Sequence, residues 1–229
     1  MLLKDKVLVI TGGSKGFGKA LAEAFIKEGA KVSICALNEE ELKKTAKEIG
    51  VIGFVADVRD ENDMKKLADR TLEKLEKIDI WINNAGMWIP HANAEDFNME
   101  EVKEMFDVNV IGLINGSRVA LRYMKKRGAG VIVNIISAAA LSGRQGISTY
   151  SASKWAVNGF TKSIREENHS SGVFIFSVFP GGMKTELFNK GKPDNFNDFM
   201  DPNDIAEKVI NNLKSDNPEL ELVIKRTKA

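Results

Sequence analysis

Short apolar runs alternate with longer amphipathic stretches along the whole sequence. The apolar runs predict strands at 7–10, 31–36, 51–56, 78–82, 130–137, 173–179 and 220–224. Helical spacing predicts helices that end before Gly29, that run from Asn38 towards Gly50, and that cover 61–77, two stretches within 99–127, 150–168 and 202–214. Continuous apolar runs are typical of strands buried on both faces of a parallel sheet. The alternation therefore predicts an α/β fold, a single-domain Rossmann-like doubly wound sheet of about seven mostly parallel strands with helices on both faces.

Composition restricts the classes of function that the chain can have. The 229 residues are 43% hydrophobic and show no repeat or linker, which suits one domain over 1–229. Basic and acidic residues number 33 and 32 and are mixed along the chain, which disfavours nucleic acid as a partner. A single cysteine, Cys35, and two separated histidines, His91 and His169, disfavour a metal site and a serine–histidine triad. Because the first residues lack the pattern of a signal peptide and no run reaches membrane-spanning length, we expect a cytoplasmic protein with no membrane partner.

A glycine-rich stretch, 11–18, lies between the first predicted strand and the first helix. Its glycines, Gly12, Gly16 and Gly18, follow a G-x-x-x-G-x-G spacing. Glycines let the backbone turn tightly and approach a pyrophosphate, whose charge is met by free amides at the helix N-terminus. By itself the stretch could be a plain tight loop. A Walker phosphate loop is disfavoured because no Gly-Lys-Ser or Gly-Lys-Thr closes the motif.

Tyr150 and Lys154 stand four residues apart, and Ser137 precedes the tyrosine by 13 residues. On a helix, residues four apart share one face, so the phenol and the ammonium can point into the same space. An adjacent cation favours the phenolate, which would make the tyrosine a usable proton donor and acceptor. Taken alone, the pair is also what an ordinary amphipathic helix presents.

Six motifs, each placed at or after the end of a predicted strand, occur in a fixed order. They are the 11–18 loop, Asp57, the Asn-Asn-Ala-Gly sequence at 83–86, Asn109, Ser137 with Tyr150 and Lys154, and Pro180-Gly181 with Met183 and Thr185 nearby. On these motifs the chain resembles a classical short-chain dehydrogenase/reductase over nearly all of its length. The resemblance implies an oxidoreductase that interconverts a secondary alcohol and a ketone or aldehyde by hydride transfer with a nicotinamide dinucleotide.

The resemblance also assigns residues to the cofactor. The cofactor-binding set that it implies is Gly12, Ser14, Lys15, Gly16, Phe17, Gly18, Asp57, Val58, Asn84, Ala85, Gly86, Tyr150, Lys154, Pro180, Gly181, Met183 and Thr185. By similarity, Asp57 hydrogen-bonds the adenine amino group, Val58 contacts its ring, and 84–86 line the adenosine ribose side. The segment 180–185 contacts the nicotinamide amide. Asp57 could also be a helix cap, and 83–86 a turn-forming cluster, and either role can coexist with binding.

The end of the second strand decides which dinucleotide is preferred. An acidic residue there binds the ribose 2′-hydroxyl of NAD and repels the 2′-phosphate of NADP, but this chain has Ala36. Lys15 matches the basic residue of NADP-preferring relatives, although it could also be a solvated loop lysine. Leu37 replaces the arginine often found after the strand, which removes one phosphate ligand. We expect NADP to be preferred and NAD to be the alternative.

The implied catalytic residues are Asn109, Ser137, Tyr150 and Lys154. By similarity, Tyr150 is the general acid and base, and Ser137 hydrogen-bonds the carbonyl oxygen. Lys154 favours the tyrosinate and hydrogen-bonds the nicotinamide ribose. Asn109 completes a water-linked proton path, although a helical asparagine can simply bond to a nearby carbonyl.

The substrate pocket is predicted from apolar residues near these motifs. They are Met87, Trp88, Ile147, Met183, Leu187 and Phe188, any of which could also be core. The segment 185–200 has the mixed composition of a substrate-binding lid. His91 is interpreted as a surface loop residue. By resemblance, helices near 99–127 and 150–168 pack in a homodimer or homotetramer, for which Trp155 and Phe160 supply apolar surface.

Four alternatives stay open at this stage, two of them outside the family and two within it. A catalytically silent dinucleotide-binding regulator would need the glycines but not Tyr150. A methyltransferase of similar fold would not call for the tyrosine–lysine pair. Within the family, the chain could be an NAD-dependent enzyme or a 3-oxoacyl-acyl-carrier-protein reductase, although its ending at 225–229 lacks the glycine-rich segment usual in the latter and is similar to the arginine–threonine tails of other NADP-dependent members.

Overall fold

All seven strands pair in parallel in one sheet, in the order β3-β2-β1-β4-β5-β6-β7. The structure, a computed structural model, describes residues 1–226. The strands are β1 (Val7–Thr11), β2 (Lys31–Ala36), β3 (Ile52–Val55), β4 (Ile80–Asn83), β5 (Gly130–Ile135), β6 (Val173–Pro180) and β7 (Glu221–Ile224). The predicted α/β sheet is confirmed, and it is parallel throughout the described residues.

Within residues 1–226, seven α-helices connect the strands. They are α1 (Gly16–Lys27), α2 (Glu39–Ile49), α3 (Glu61–Leu75), α4 (Met99–Phe106), α5 (Gly112–Arg127), α6 (Ser148–Glu167) and α7 (Pro202–Lys214). A π-helical segment, Asp107–Ile111, joins α4 to α5. The two stretches predicted within 99–127 are thus one helical run whose middle is a π-bulge, a feature that is frequent at functional sites. No helix within residues 1–226 is long and apolar enough to span a bilayer.

Alternate residues of the strands pack into two separate hydrophobic cores, one on each face of the sheet. In β1, Leu8 and Ile10 pack with helices α1, α2 and α7, whereas Val9 packs on the opposite face with α3, α5 and α6. Trp81 of β4 is fully buried in the second core. Because both faces of the sheet are covered, the strands can be apolar at successive positions, as the sequence predicted.

Strand ends agree with the sequence-based bounds to within two residues, and β2 matches them at both ends. β4 begins at Ile80, and the residue before it, Asp79, accepts from Val7 N through Oδ2 at 2.9 Å, which connects the preceding loop to β1. β6 extends through Pro180, and Gly181 N still donates to Ile224 O of β7 at 3.0 Å. The predicted tail continues to 227–229, which lie outside the described residues.

The sheet reverses its direction of winding between β1 and β4. Strands β2 and β3 lie on one side of β1, and β4 to β7 lie on the other. The crevice outside the carboxyl ends of the strands at such a reversal is where open α/β sheets bind ligands. The glycine loop follows β1, and Asn84 follows β4, so these motifs meet at this crevice.

Candidate active site

A cavity of about 660 Å³ opens at the carboxyl ends of the strands. Its wall includes Ser137, Tyr150 and Lys154 together with every residue predicted to bind the cofactor, from Gly12 to Thr185. Asn109 is the one predicted site residue that does not line the cavity. The structure therefore brings residues separated by more than a hundred positions in the sequence to one place.

The glycine loop is shaped by backbone geometry and held by the β4 end. Gly12 and Gly16 have φ of +64° and +51°, which L side chains rarely adopt. A Cβ at Gly18 would collide with the Gly12 carbonyl. Asn84 Nδ2 donates to Thr11 O at 2.9 Å and to Gly12 O at 3.1 Å. The donors of the Asn84 side chain thus serve to fix the loop.

The N-terminus of α1 is left without a side-chain cap. Its N-cap residue, Lys15, makes no side-chain cap hydrogen bond, and the first turn contains no acidic residue. In contrast, α2, α3, α4 and α7 are capped by Asn38, Asp60, Asn98 and Asp201. Free amides at a helix N-terminus beside a close glycine turn suit a pyrophosphate. The residues present therefore fit a nicotinamide dinucleotide.

The Asp57 carboxylate is held by Arg59, two residues further along the chain. Arg59 Nε lies 3.0 and 2.9 Å from the two carboxylate oxygens, and Nη2 lies 2.7 Å from Oδ2. Burial raises the pKa of Asp57, but the hydrogen bonds and charge of Arg59 outweigh it and leave the pKa below its ordinary value. Asp57 lines the cavity as a charged, already paired acceptor.

Ala36 and Leu37 line the cavity at the end of β2, as the prediction on cofactor preference requires. Lys15 is exposed, but its Nζ lies 3.3 Å from Glu41 Oε1. The same glutamate accepts from Ser14 Oγ at 2.9 Å through Oε2. Glu41 was missed because it is 26 positions from Lys15, and no local spacing connects them.

Ser137 and Tyr150 come together from the end of β5 and the first turn of α6. Ala139 N donates to Ser137 Oγ at 3.1 Å, which leaves the serine hydroxyl proton available. The Tyr150 phenol is buried, although the residue as a whole is only partly so. Burial raises the pKa of Tyr150 to about 12, and hydrogen bonding with Ser137 opposes the rise. Ser137, to which the sequence did not assign this effect, is therefore a neighbour that favours the phenolate.

Lys154 is 5% exposed and lines the cavity one turn after Tyr150. Its Nζ lies 5.6 Å from the centre of the Tyr150 ring. Burial lowers the pKa of Lys154 to about 8. No carboxylate of residues 1–226 lies within 4.0 Å of Nζ to form an ion pair. The ammonium is therefore a buried cation that faces the cavity.

Asn109 lies in the π-helical segment and is buried just behind the cavity wall. Its Oδ1 accepts from Met87 N at 2.7 Å, and its Nδ2 donates to Met87 O at 2.9 Å and to Ser153 Oγ at 3.2 Å. A Cβ at Gly86 would lie 3.4 Å from Asn109 Oδ1 and 3.9 Å from Lys154 Nζ. Asn109 thus fixes the chain after the Asn-Asn-Ala-Gly turn and stands on the same side of Gly86 as Lys154.

A buried polar chain fixes the strands that carry the site. Asn83 Nδ2 donates to Asn134 Oδ1 at 2.8 Å and to Ser117 Oγ at 2.9 Å. Asn134 Nδ2 donates in turn to Thr161 Oγ1 at 2.9 Å. These bonds connect β4, β5, α5 and α6. Because each amide has its partners, the network specifies one relative position for the strand ends.

The other end of the cavity is aromatic. Phe188 makes edge contacts with Trp88 and Phe199, with ring centres 5.0 and 5.2 Å apart. His91, interpreted from sequence as a surface residue, is exposed but also lines the cavity, 5.6 Å from the Trp88 ring. The predicted pocket residues Met87, Trp88, Ile147, Met183, Leu187 and Phe188 all line it.

The predicted lid, 185–200, is a loop closed at its base. Lys184 N donates to Met200 O at 2.9 Å, and Met200 N donates to Gly182 O at 3.0 Å. Two short 3₁₀ turns, Glu186–Phe188 and Phe196–Asp198, bring its aromatic rings over the cavity. Arg144 and Gln145, from the loop before α6, also line this end and were not predicted.

Comparison with known proteins gives a consistent result. A family model for short chain dehydrogenase matches residues 6–195. A 3alpha-hydroxysteroid dehydrogenase from Mediterraneibacter gnavus is 32% identical over 194 residues, which are 82% of this chain and 77% of that protein. Two crystal structures are also similar. The 3-ketoacyl-(acyl-carrier-protein) reductase from Brucella melitensis, complexed with NADH, has a TM-score of 0.89 and 30% identity over 97% of each chain. The alcohol dehydrogenase from Thermococcus sibiricus, complexed with 5-hydroxy-NADP, has a TM-score of 0.86 and 28% identity over 99% of this chain and 100% of that one.

Proposed function

This chain belongs to the short-chain dehydrogenase family as an NAD(P)-dependent oxidoreductase, and we propose that it interconverts a secondary alcohol and its carbonyl compound with Tyr150 as general acid and base. One observation carries the proposal. Ser137, Tyr150 and Lys154 face the same cavity as an uncapped helix N-terminus and a glycine loop that fit a dinucleotide. A bound nicotinamide supplies or accepts the hydride, so the chain must orient the substrate and handle one proton.

Tyr150 handles that proton in the proposal. A phenol with a pKa of about 12 is protonated at neutral pH, so in reduction it can protonate the carbonyl oxygen as the carbonyl carbon is reduced. In the proposal the Ser137 hydroxyl, whose oxygen accepts from Ala139 N and whose proton is turned towards the Tyr150 phenol in the absence of substrate, donates to the same carbonyl oxygen. In oxidation the two groups reverse these roles. Two hydrogen bonds to one oxygen orient the reacting carbonyl relative to the bound nicotinamide.

Lys154 and Asn109 support the proton transfer. At neutral pH a lysine with a pKa of about 8 is mainly charged, and its position in the cavity suits a hydrogen bond to the nicotinamide ribose. The charge also offsets the negative charge of a transient tyrosinate. The second lone pair of Asn109 Oδ1 can bind a water molecule near Lys154, which would resupply the proton.

NADP is the proposed preferred cofactor, with NAD as the alternative. The support is the neutral Ala36 at the end of β2 and the basic Lys15 of the glycine loop, both of which line the cavity. The Thermococcus sibiricus structure contains an NADP analogue and the Brucella melitensis structure contains NADH, so relatives of both kinds share the fold.

A 3-ketoacyl reductase is the second candidate within the family. The similarity to the Brucella melitensis enzyme over 97% of the chain favours it. Against it, the aromatic end of the cavity suits an apolar cyclic ketone, and the steroid dehydrogenase relative is named for a cyclic substrate. The two candidates differ in whether acyl thioesters are reduced.

We also propose a homodimer or homotetramer built on the face that α6 presents to solvent. Trp155 on α6 is 52% exposed, and Ile111 in the adjoining π segment is 44% exposed. Phe160, the other residue considered from sequence, is partly buried and packs against the core instead. A cytoplasmic location stays a prediction from the sequence.

The test is a substrate panel assayed with both cofactors. Cyclic ketones, 2-keto acids, sugars and a 3-ketoacyl thioester are each incubated with NADPH or NADH, and loss of the reduced nicotinamide is followed by absorbance. The proposal expects turnover of at least one carbonyl compound that is abolished in Tyr150→Phe. Tight dinucleotide binding without turnover of any panel member would instead favour the silent regulator.

A further inference from the structure

Glu41 points its carboxylate out of α2 and onto the glycine loop. Its own backbone N–H is capped by Asn38 Oδ1 at 2.9 Å, which fixes the start of the helix. Its Oε2 accepts from Ser14 Oγ at 2.9 Å, and its Oε1 lies 3.3 Å from Lys15 Nζ. One turn later, Thr45 Oγ1 donates to Ser14 O at 2.6 Å. Two contacts therefore fix Ser14 against α2, and Glu41 is held in a defined position.

The Glu41 carboxylate lies at the part of the cavity that distinguishes the two dinucleotides. Glu41 lines the cavity together with Ala36, Leu37 and Asn38, the residues that end β2 and lead into α2. An acid at the end of the second strand binds a free ribose 2′-hydroxyl and repels a 2′-phosphate. This chain lacks that acid at Ala36 but supplies a carboxylate from the next element.

Lys15 is already paired. Among residues 1–226, Glu41 is the only carboxylate within 4.0 Å of its Nζ. Neighbouring charges are engaged elsewhere, since Glu39 pairs with Lys43 at 2.6 Å and Lys19 pairs with Glu48 at 2.7 Å. A phosphate that uses Lys15 must therefore share it with, or take it from, Glu41. A like charge at such a distance opposes binding of the phosphate.

We infer that Glu41 is a specificity-determining residue whose carboxylate competes with the 2′-phosphate of NADP for Ser14 and Lys15. The inference rests on the proposed dinucleotide site. The Glu41 carboxylate makes the preference for NADP over NAD smaller than it would be with Ala36 and Lys15 alone. The ribose of NAD, which has no phosphate to repel, is spared, and its 2′-hydroxyl can donate to the same carboxylate.

The binding of two nucleotide fragments to the whole protein tests the inference without catalysis. Isothermal titration calorimetry compares 2′,5′-ADP, which carries the 2′-phosphate, with 5′-ADP, which lacks it. Glu41→Gln keeps the size of the side chain and an oxygen that can accept from Ser14. It should strengthen 2′,5′-ADP binding roughly tenfold, the equivalent of about one pKa unit of repulsion, and leave 5′-ADP binding nearly unchanged.

Glu39→Gln is the matched control. It removes the same charge from the same helical turn, but Glu39 pairs with Lys43 and does not line the cavity. Both affinities should equal those of the unmodified protein. A second variant, Glu41→Asp, keeps the charge but shortens the side chain, so the carboxylate withdraws from Lys15 and 2′,5′-ADP binding should strengthen less than in Glu41→Gln.

Three outcomes would overturn the inference. An unchanged ratio of the two affinities in both Glu41 variants means that the carboxylate does not face the phosphate. Equal weakening of both nucleotides means that Glu41 only anchors the loop. These two results leave the proposed function intact, because both fragments bind. If the unmodified protein binds neither fragment, the dinucleotide site and the proposed function fail together.

Discussion

The Nζ of Lys154 lies 5.6 Å from the centre of the Tyr150 ring, one turn further along α6. Both groups are buried, and burial favours the uncharged form of each. It raises the pKa of the phenol to about 12 and lowers that of the ammonium to about 8, so both shifts favour the uncharged form. A protonated Lys154 is therefore unfavourable for the folded chain.

Lys154→Met should stabilise the protein at neutral pH while abolishing turnover. The pKa of Lys154 falls from 10.5 to about 8 on folding, so the unfolded chain binds the proton more tightly. Below pH 8 the folded state carries the full penalty, on the order of 3 kcal/mol, and the penalty disappears as pH rises towards 10.5. Urea denaturation at pH 7 and above pH 10 measures the difference.

Lys162→Met is the control for this prediction. Lys162 lies on the same helix but is 55% exposed and pairs weakly with Glu221. Its substitution should change the free energy of unfolding little at either pH. If Lys154→Met destabilises the protein at neutral pH, the ammonium must have favourable contacts that the structure does not include.

Tyr150→Phe should lower kcat/KM roughly a hundredfold to ten-thousandfold while cofactor affinity stays nearly unchanged. The substitution removes the transferable proton but keeps the ring packed against Ile89, Val102 and Met105. Steady-state kinetics and a fluorescence titration of NADPH measure the two effects. Tyr123→Phe, at the only other tyrosine, should retain activity. Substantial turnover by Tyr150→Phe would remove the tyrosine from its proposed role.

The fold could be predicted because its determinants are local. The apolar run at β1, the glycine loop and the start of α1 are neighbours in sequence, and each local pattern agrees with the sheet. The spacing of Tyr150 and Lys154, one helical turn apart, likewise predicted that both side chains lie on one face of a helix. Parallel pairing throughout the sheet follows from the repeated crossover helices.

What the sequence did not predict depends on long-range contacts or on burial. Glu41 accepts a hydrogen bond from Ser14, which is 27 positions away in the sequence. Arg59 donates to the carboxylate of Asp57, the residue that the resemblance assigned to the adenine amino group. The burial of Tyr150 and Lys154 was also not predicted, because spacing places two groups on one face but does not give their depth. Burial proved to be the dominant cause of both pKa shifts.

Phe188→Ala should raise KM for bulky cyclic ketones about tenfold and affect small ketones less. Phe188 connects Trp88, from the loop after β4, to Phe199 at the far end of the lid. Its removal deletes apolar surface that a large substrate would cover. Kinetics with a size series of ketones checks this expectation. Phe174→Ala, at a ring on β6 that is 61% exposed and outside the cavity, is the control.

Trp155→Lys should dissociate the proposed oligomer. A buried, unpaired ammonium at the centre of a subunit contact opposes association strongly. Light scattering at micromolar concentration should show a dimer or tetramer for the unmodified protein and a monomer for the variant. Phe174→Lys, which places the same charge on another exposed aromatic position, should leave the assembly intact. A monomeric unmodified protein at that concentration would refute the oligomer itself.

Ala36→Asp should move the cofactor preference from NADP towards NAD. Ala36 ends β2, lines the cavity, and pairs across the sheet with Val55 of β3. A carboxylate there would accept from a free 2′-hydroxyl and repel a 2′-phosphate. Repulsion should dominate, because a close like-charge contact at partly exposed depth costs on the order of 1–3 kcal/mol.

NADP efficiency in Ala36→Asp should therefore fall roughly tenfold or more, while NAD efficiency rises less. Lys15→Ala is an independent test of the same site, since it should weaken the binding of NADP and leave the binding of NAD unchanged. Val55→Asp places the same charge on the neighbouring strand outside the cavity and should leave the ratio of NADP to NAD efficiency as it was. An unchanged ratio in Ala36→Asp would mean that Ala36 does not face the ribose. The NADP preference would then depend on Lys15 alone. Lys15 is already paired with Glu41, so its attraction for the 2′-phosphate is reduced.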